Sequence, residues 1–242
     1  MLKRCFTWFR RPFLIAMGIG AGIIAHASTV YFNDEELPDF VIEKLPLPNE
    51  DLWFLALRIH VIVAVLTLPA CLALLSRRLL RGLPRLHRWL GRTTGTVVLL
   101  GLVPSGLYLS WYAKGGMVST VGFALTGIIV AFAMVRAIAA ARARNYTQHA
   151  RYTRHVVAQL SVAVISRAMM TALDAVNVDP MLAYVVSLWL PVVGTAALVE
   201  WHHFSSKPKT QHKTENRSPH VAHAIPDDFH ADLGRLHGST GH

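Results

Sequence analysis

The chain has 242 residues, is 53% hydrophobic and carries charge on only 16% of its residues, with a mean hydropathy of +0.38. Soluble domains carry about 25% charged residues, so this composition excludes an ordinary water-soluble globule and points to long apolar stretches in lipid. The net charge of +10 would suit nucleic acid, but membrane proteins gather Lys and Arg in cytoplasmic loops, and the distribution below follows that pattern, so no nucleic-acid partner is expected.

The first apolar segment covers 13–32, behind a basic tail with Lys3, Arg4, Arg10 and Arg11. Gly18, Gly20 and Gly22 within it permit close helix contact. Ala25-His26-Ala27 also resembles the cleavage site of a signal peptide. The apolar run continues to Phe32, long for such a peptide, and a retained helix is the reading adopted. The second segment covers 53–75 and the third 93–112, separated by a loop holding Arg77, Arg78, Arg81, Arg85, Arg88 and Arg92. The fourth covers 118–135, and the loop after it holds Arg136, Arg142, Arg144, Arg151 and Arg154. The fifth covers 155–176 and the sixth 181–201. Each is long enough, at ~1.5 Å per residue, for a helix to cross ~30 Å of hydrocarbon.

The intervening loops carry only Lys44 and Lys114, and the first of them is acidic, with Asp34, Glu35, Glu36, Asp39, Glu43, Glu50 and Asp51. The positive-inside rule therefore predicts that both termini are cytoplasmic. Trp53, Trp89, Trp111, Tyr112 and Trp201 fall at segment ends, where aromatic belts lie. The expected fold is all-α: a six-transmembrane-helix bundle, N-in and C-in, over 1–204, followed by a disordered His-rich cytoplasmic tail over 205–242. That tail is polar and without apolar period. Its His212, His220 and His223 form at most a weak metal-binding tract, because the spacing is irregular and no Cys joins them. Cys5 and Cys71 make no CxxC pattern, and Cys71 reads as a small hydrophobe.

Ionisable side chains at membrane depth cost several kcal/mol unless paired or hydrated, so each is a candidate. His26 and His60 both lie ~10 Å below the outer ends of their helices at ~1.5 Å per residue. Two imidazoles at one depth could ligate a b-type haem, share a hydrogen bond, or be satisfied structurally. Arg58 and Asp174 could pair in the outer leaflet. Arg167 precedes Asp174 by about two turns, so both project from one face, expected to point into the bundle. Arg167 could meet a carboxylate, a backbone carbonyl or a ligand oxygen such as that of a haem propionate or quinone; a buried ion pair that fixes packing is the plainer alternative. At the cytoplasmic rim, His87, Arg88, Gly91 and Arg92 precede the third segment, and His149, Arg151, Tyr152, Arg154 and His155 lead into the fifth. His87 and His155 could face each other there, and a basic rim also serves anionic lipid. Pro69, Pro104 and Pro191 interrupt helices, as proline does beside cavities. No phosphate loop, nucleophile motif or HExxH is present.

The stretches Arg58-Ile59-His60-Val61, Leu86-His87-Arg88-Trp89-Leu90-Gly91-Arg92 and Ser105-Gly106-Leu107-Tyr108-Leu109, with His149, Tyr152 and Arg167 following, resemble a bacterial predicted membrane protein family, domain of unknown function number 2306. The likeness covers roughly 55–175. Two departures are visible: Leu68-Pro69-Ala70-Cys71 stands where the family tends to Gly-Pro followed by Gln, and His155, beside Arg154, stands where it has an arginine. The resemblance implies a helical bundle in the bacterial cytoplasmic membrane and implies no particular reaction. Two functions are open on these residues: a redox bundle holding haem b or bordering a quinone, or a transporter or non-catalytic membrane subunit with Arg58, Arg167 and Asp174 along a polar path.

Overall fold

The computed structural model describes residues 2–33, 39–42 and 44–205, with the side chains of 2–11, 39 and 40 left out. Asp34, Glu35, Glu36 and Glu43 of the acidic loop, and the tail from 206 with His212, His220 and His223, lie outside the described residues.

The described residues are helical throughout and contain no strand. Helix α1 (Leu2–Ala27) runs into a 3₁₀ turn at Ser28–Phe32. A single turn, α2 (Asp39–Ile42), precedes α3 (Glu50–Leu74). Two short pieces follow, α4 (Arg77–Gly82) and α5 (Pro84–Val97). A π turn at Val98–Leu102 joins α5 to α6 (Val103–Ser110). The chain closes with α7 (Gly116–Arg142), α8 (Tyr146–Ala175) and α9 (Pro180–Ser205). Six of these runs are long and apolar enough to cross a membrane: 12–32, 50–74, 84–110, 116–142, 146–175 and 180–205.

The boundaries correct those read from hydropathy. The loops expected over 76–92 and 136–154 are mostly helix, because hydropathy marks where the chain leaves apolar surroundings and not where its hydrogen-bond ladder stops. Arg, Ala and Gln are good helix formers in water, so α7 continues through Arg142 and α8 already begins at Tyr146. Asn145 caps that start by accepting from the Gln148 backbone N–H at 3.1 Å, and Arg144 makes the reversal at φ 57°. Asn49 caps α3 in the same way through Leu52.

Helix α8 is the hub. It packs on α7 and α9 most extensively and also on α1 and α3, while α3 packs on α1, α5, the π turn and α6. Lipid tails are as apolar as leucine, so association in a membrane depends on close van der Waals fit. Small residues provide it. A Cβ at Gly122 of α7 would stand 2.8 Å from Leu188 Cδ2 of α9, and one at Gly20 of α1 would stand 2.3 Å from Val164 Cγ1 of α8. Gly18 and Gly22 face no such neighbour. The main core joins Cys71, Val98, Leu102, Val130, Met134, Val156 and Val157 from four of the spans, and Cys71 is a free, buried thiol there. The described residues thus form a bundle with a basic end, holding α4 and the 143–145 turn, and an acidic end, holding the 44–49, 111–115 and 176–179 connections.

Candidate functional site

Polar side chains collect at two levels. Nearer the acidic end, the π turn sets the geometry. Pro104 has no N–H to offer the turn before it, and the helix responds with wider π spacing over Val98–Leu102, the kind of bulge that recurs at functional sites. That places Ser105 and Gly106 against His60 of α3. His60 Nδ1 lies 3.1 Å from Ser105 Oγ, and a Cβ at residue 106 would approach His60 Cε1 to 3.0 Å. Only a glycine there lets the imidazole lie flat on α6.

Arg167 of α8 lies within electrostatic reach of both the His60 ring and the Tyr184 ring of α9. Its guanidinium donates to Ala163 O at 3.1 Å, one turn back on its own helix. Among the described residues no carboxylate pairs with it. Tyr184 also lines an open cavity of about 320 Å³ at the acidic end, with Lys114, Met170, Asp179, Pro180 and Met181. His60 and Tyr184, from two other helices, thus both lie within electrostatic reach of Arg167, and Tyr184 borders the cavity, whose lining includes neither His60 nor Arg167.

The other residues singled out at this level go elsewhere. Arg58 donates through Nε to Tyr31 O at 3.2 Å, so its contact is the 3₁₀ turn after α1 and not Asp174. His26 is exposed on α1, and its carbonyl accepts from Thr29. The common face of Arg167 and Asp174 is not packed under a neighbour: both are exposed in the isolated chain. Asp174 stands in the last turn of α8, next to the 176–179 connection.

The basic end holds a second cluster. Glu200 of α9 accepts from Arg151 Nε at 3.1 Å and Arg151 NH2 at 2.6 Å, and lies 2.6 Å from His155 Nε2. The carboxylate thereby gathers two cation-forming groups from successive turns of α8. Tyr152 lies between Arg136 of α7, 5.4 Å from the ring centroid, and Arg151, 5.7 Å from it. His149 Nδ1 donates to Ala137 O at 2.9 Å and stands within electrostatic reach of His87, whose Nδ1 is buried and unbonded. The rim histidines thus sort differently from the face-to-face arrangement of His87 and His155: His149 is the neighbour of His87, and His155 belongs to Glu200. Arg88 and Arg92 are exposed, and a Cβ at Gly91 would meet Leu74 Cδ2 at 3.9 Å, ordinary van der Waals contact.

Three residues are not among those the sequence singles out. Glu200 is the lone carboxylate of the last apolar run, and the rule that selects Arg58 would select it. Gln159, the largest fully buried side chain, donates to Val192 O at 3.1 Å and Thr195 Oγ1 at 3.2 Å while its Oε1 has no partner; being uncharged, it gives no signal. Tyr184 looks like an ordinary helix residue, and Ser105 stands out only as part of the motif Ser105–Leu109.

The family model of the predicted membrane proteins DUF2306 matches residues 57–202. The chain belongs to that family. The match begins just before Arg58 and ends at His202, so it contains His60, Ser105, Arg167, Tyr184 and Glu200, and leaves His26 outside. No curated protein and no solved structure matches the chain.

Proposed function

We propose that this chain is a multi-pass protein of the bacterial cytoplasmic membrane that binds a quinone-type head group between α3, α8 and α9, as a component of an electron-transfer system. The observation that carries the reading is Arg167, a guanidinium inside the membrane that no carboxylate pairs among the described residues, within electrostatic reach of the His60 imidazole. An arginine at a helix centre costs roughly 2.5–3.5 kcal/mol to insert. A guanidinium has five N–H donors, and one backbone carbonyl leaves most of them for a ligand oxygen. A carbonyl or hydroxyl on an apolar ring suits those donors and keeps its tail in lipid. Met170 and Met181 beside Tyr184 supply apolar walls. Such a head group supplies two-electron, two-proton chemistry when bound. Arg167 holds one of its oxygens, and His60 handles a proton at the other.

In this reading the basic end faces the cytoplasm, where its arginines meet anionic lipid head groups. A haem b held by His26 and His60 draws less support. His26 is exposed and lies outside the matched span. A second reading, a transporter, is favoured by one observation, the cavity at the acidic end next to Tyr184.

The test is solvent extraction of the purified protein for co-purifying quinone, followed by titration of a short-chain benzoquinone against tryptophan fluorescence. Arg167→Ala and His60→Ala each weaken binding about tenfold or more, since a hydrogen bond to a charged group contributes ~1.5–3 kcal/mol. A preparation free of quinone that also binds none overturns the reading. Uptake of a solute into vesicles, abolished by Arg167→Ala, would favour transport, and a Soret band lost in His60→Ala would favour haem.

A further inference from the structure

The hydroxyl of Ser105 makes three close approaches. Its Oγ lies 2.6 Å from Gly101 O, 3.2 Å from Leu102 O and 3.1 Å from His60 Nδ1. Two oxygens at 2.6 Å repel unless a proton lies between them, and that separation is typical of a good O–H···O bond. A carbonyl has no proton to give. The single hydroxyl proton of Ser105 is therefore committed to Gly101 O, and toward the imidazole the oxygen can only accept. His60 Nδ1 must be the donor. Leu102 O, also in reach of the ring, is another acceptor and leads to the same assignment. In the neutral ring the lone pair is then on Nε2. Among the described residues that nitrogen has no hydrogen-bond partner, and the ring edge bearing Cε1 rests on Gly106.

We infer that Ser105 is a positioning residue that fixes His60 as a hydrogen-bond acceptor, so that the site prefers a hydroxyl-bearing, reduced head group to its carbonyl form. The inference rests on the quinone-type reading of the site. A hydroquinone brings an O–H to Nε2 and its second oxygen to Arg167. The oxidised ring brings carbonyl oxygens only, and one of them would face the Nε2 lone pair. Arg167 can serve either form, being a donor alone. The choice between forms falls to His60, and through it to Ser105.

The experiment uses the full chain, labelled with ¹⁵N-histidine, in phospholipid vesicles. The His60 signals are assigned by difference from His60→Gln. The expected spectrum is a neutral ring protonated at Nδ1. Ser105→Ala leaves the Leu102 carbonyl as the one remaining acceptor and lowers the fraction protonated at Nδ1, and Ser105→Thr, which keeps the hydroxyl, restores the first state. In parallel, a short-chain benzoquinone and its dithionite-reduced hydroquinone are titrated against the same three proteins. The reduced form binds about tenfold tighter to the unaltered chain and to Ser105→Thr, equivalent to ~1.4 kcal/mol, and the ratio falls toward one in Ser105→Ala. A ring protonated at Nε2 or at both nitrogens overturns the inference, as does a ratio that Ser105→Ala leaves unchanged. Equal binding of both forms to the unaltered chain overturns the preference while the quinone reading stands. Binding of neither form, with the tautomer as expected, overturns the reading together with the preference built on it.

Discussion

Glu200 is where one atom group decides most. Its two oxygens hold Arg151 and His155, 49 and 45 residues away in sequence, and so tie α8 to α9 at the basic end. Charge-assisted bonds are stronger than neutral ones, but the carboxylate is 32% exposed, which screens the pair. Replacing it by alanine leaves two cation-forming groups together. Glu200→Ala is expected to cost about 1–2 kcal/mol, read as a lowered midpoint of thermal unfolding in detergent. A double-mutant cycle with Arg151→Ala is expected to return a coupling of at least ~0.5 kcal/mol; additivity would mean that the pair contributes nothing. At the other level, Gly106→Ala is expected to push the imidazole off α6 through its 3.0 Å approach to Cε1. Ligand binding then falls with Gly106→Ala while unfolding shifts little, and unchanged binding would show that the ring does not need that seat. Of these residues, His60, Gly106 and Arg167 were legible as charge, or as part of a motif, in apolar surroundings. Ser105 was legible only as part of the same motif as Gly106, and Gln159 was not legible, because an uncharged hydroxyl or amide is common in helices and only its neighbours give it a role.

At the scale of elements, α1 offers an internal control. Gly18, Gly20 and Gly22 are equivalent in sequence, yet of the three only Gly20 is so placed that an added Cβ would clash, with Val164 Cγ1. Valine is stiff at χ1, so it yields poorly. Gly20→Ala is expected to destabilise by about 1–3 kcal/mol through overpacking. Gly18→Ala and Gly22→Ala are expected to be neutral or to stabilise by up to ~1 kcal/mol, since alanine is the better helix former. Thermal unfolding of the three variants side by side checks this, and equal effects would contradict the α1–α8 contact. Helix identity was legible from hydropathy alone, because length and apolarity suffice for a span. The ends were not: α5, α7 and α8 continue into charged sequence where the ladder persists beyond the apolar zone. Pro104 announced a disturbance, but not the form it takes, a π turn over Val98–Leu102 packed against α3.

For the whole molecule, the prediction concerns orientation. Fusions of a reporter active only outside the cytoplasm, placed after residues 46 and 114, are expected to be active, and those after residues 82 and 144 inactive, as the distribution of arginine requires. The reverse pattern would invert the assignment of both ends and move the His60 region to the cytoplasmic half. The number of apolar runs, their helical form and the placement of charge at one end followed from the sequence, because lipid leaves an unpaired backbone no alternative to a helix and penalises charge wherever it lies. Both are local rules that each segment obeys by itself. Which helix is the hub, that Arg167 comes to His60 and Tyr184 but not to Asp174, and that Glu200 gathers Arg151 and His155 were decided only by the tertiary structure. Those pairings depend on helix rotation and neighbour choice, which in lipid are set by the fit of small residues between helices and leave no periodic trace in any one of them.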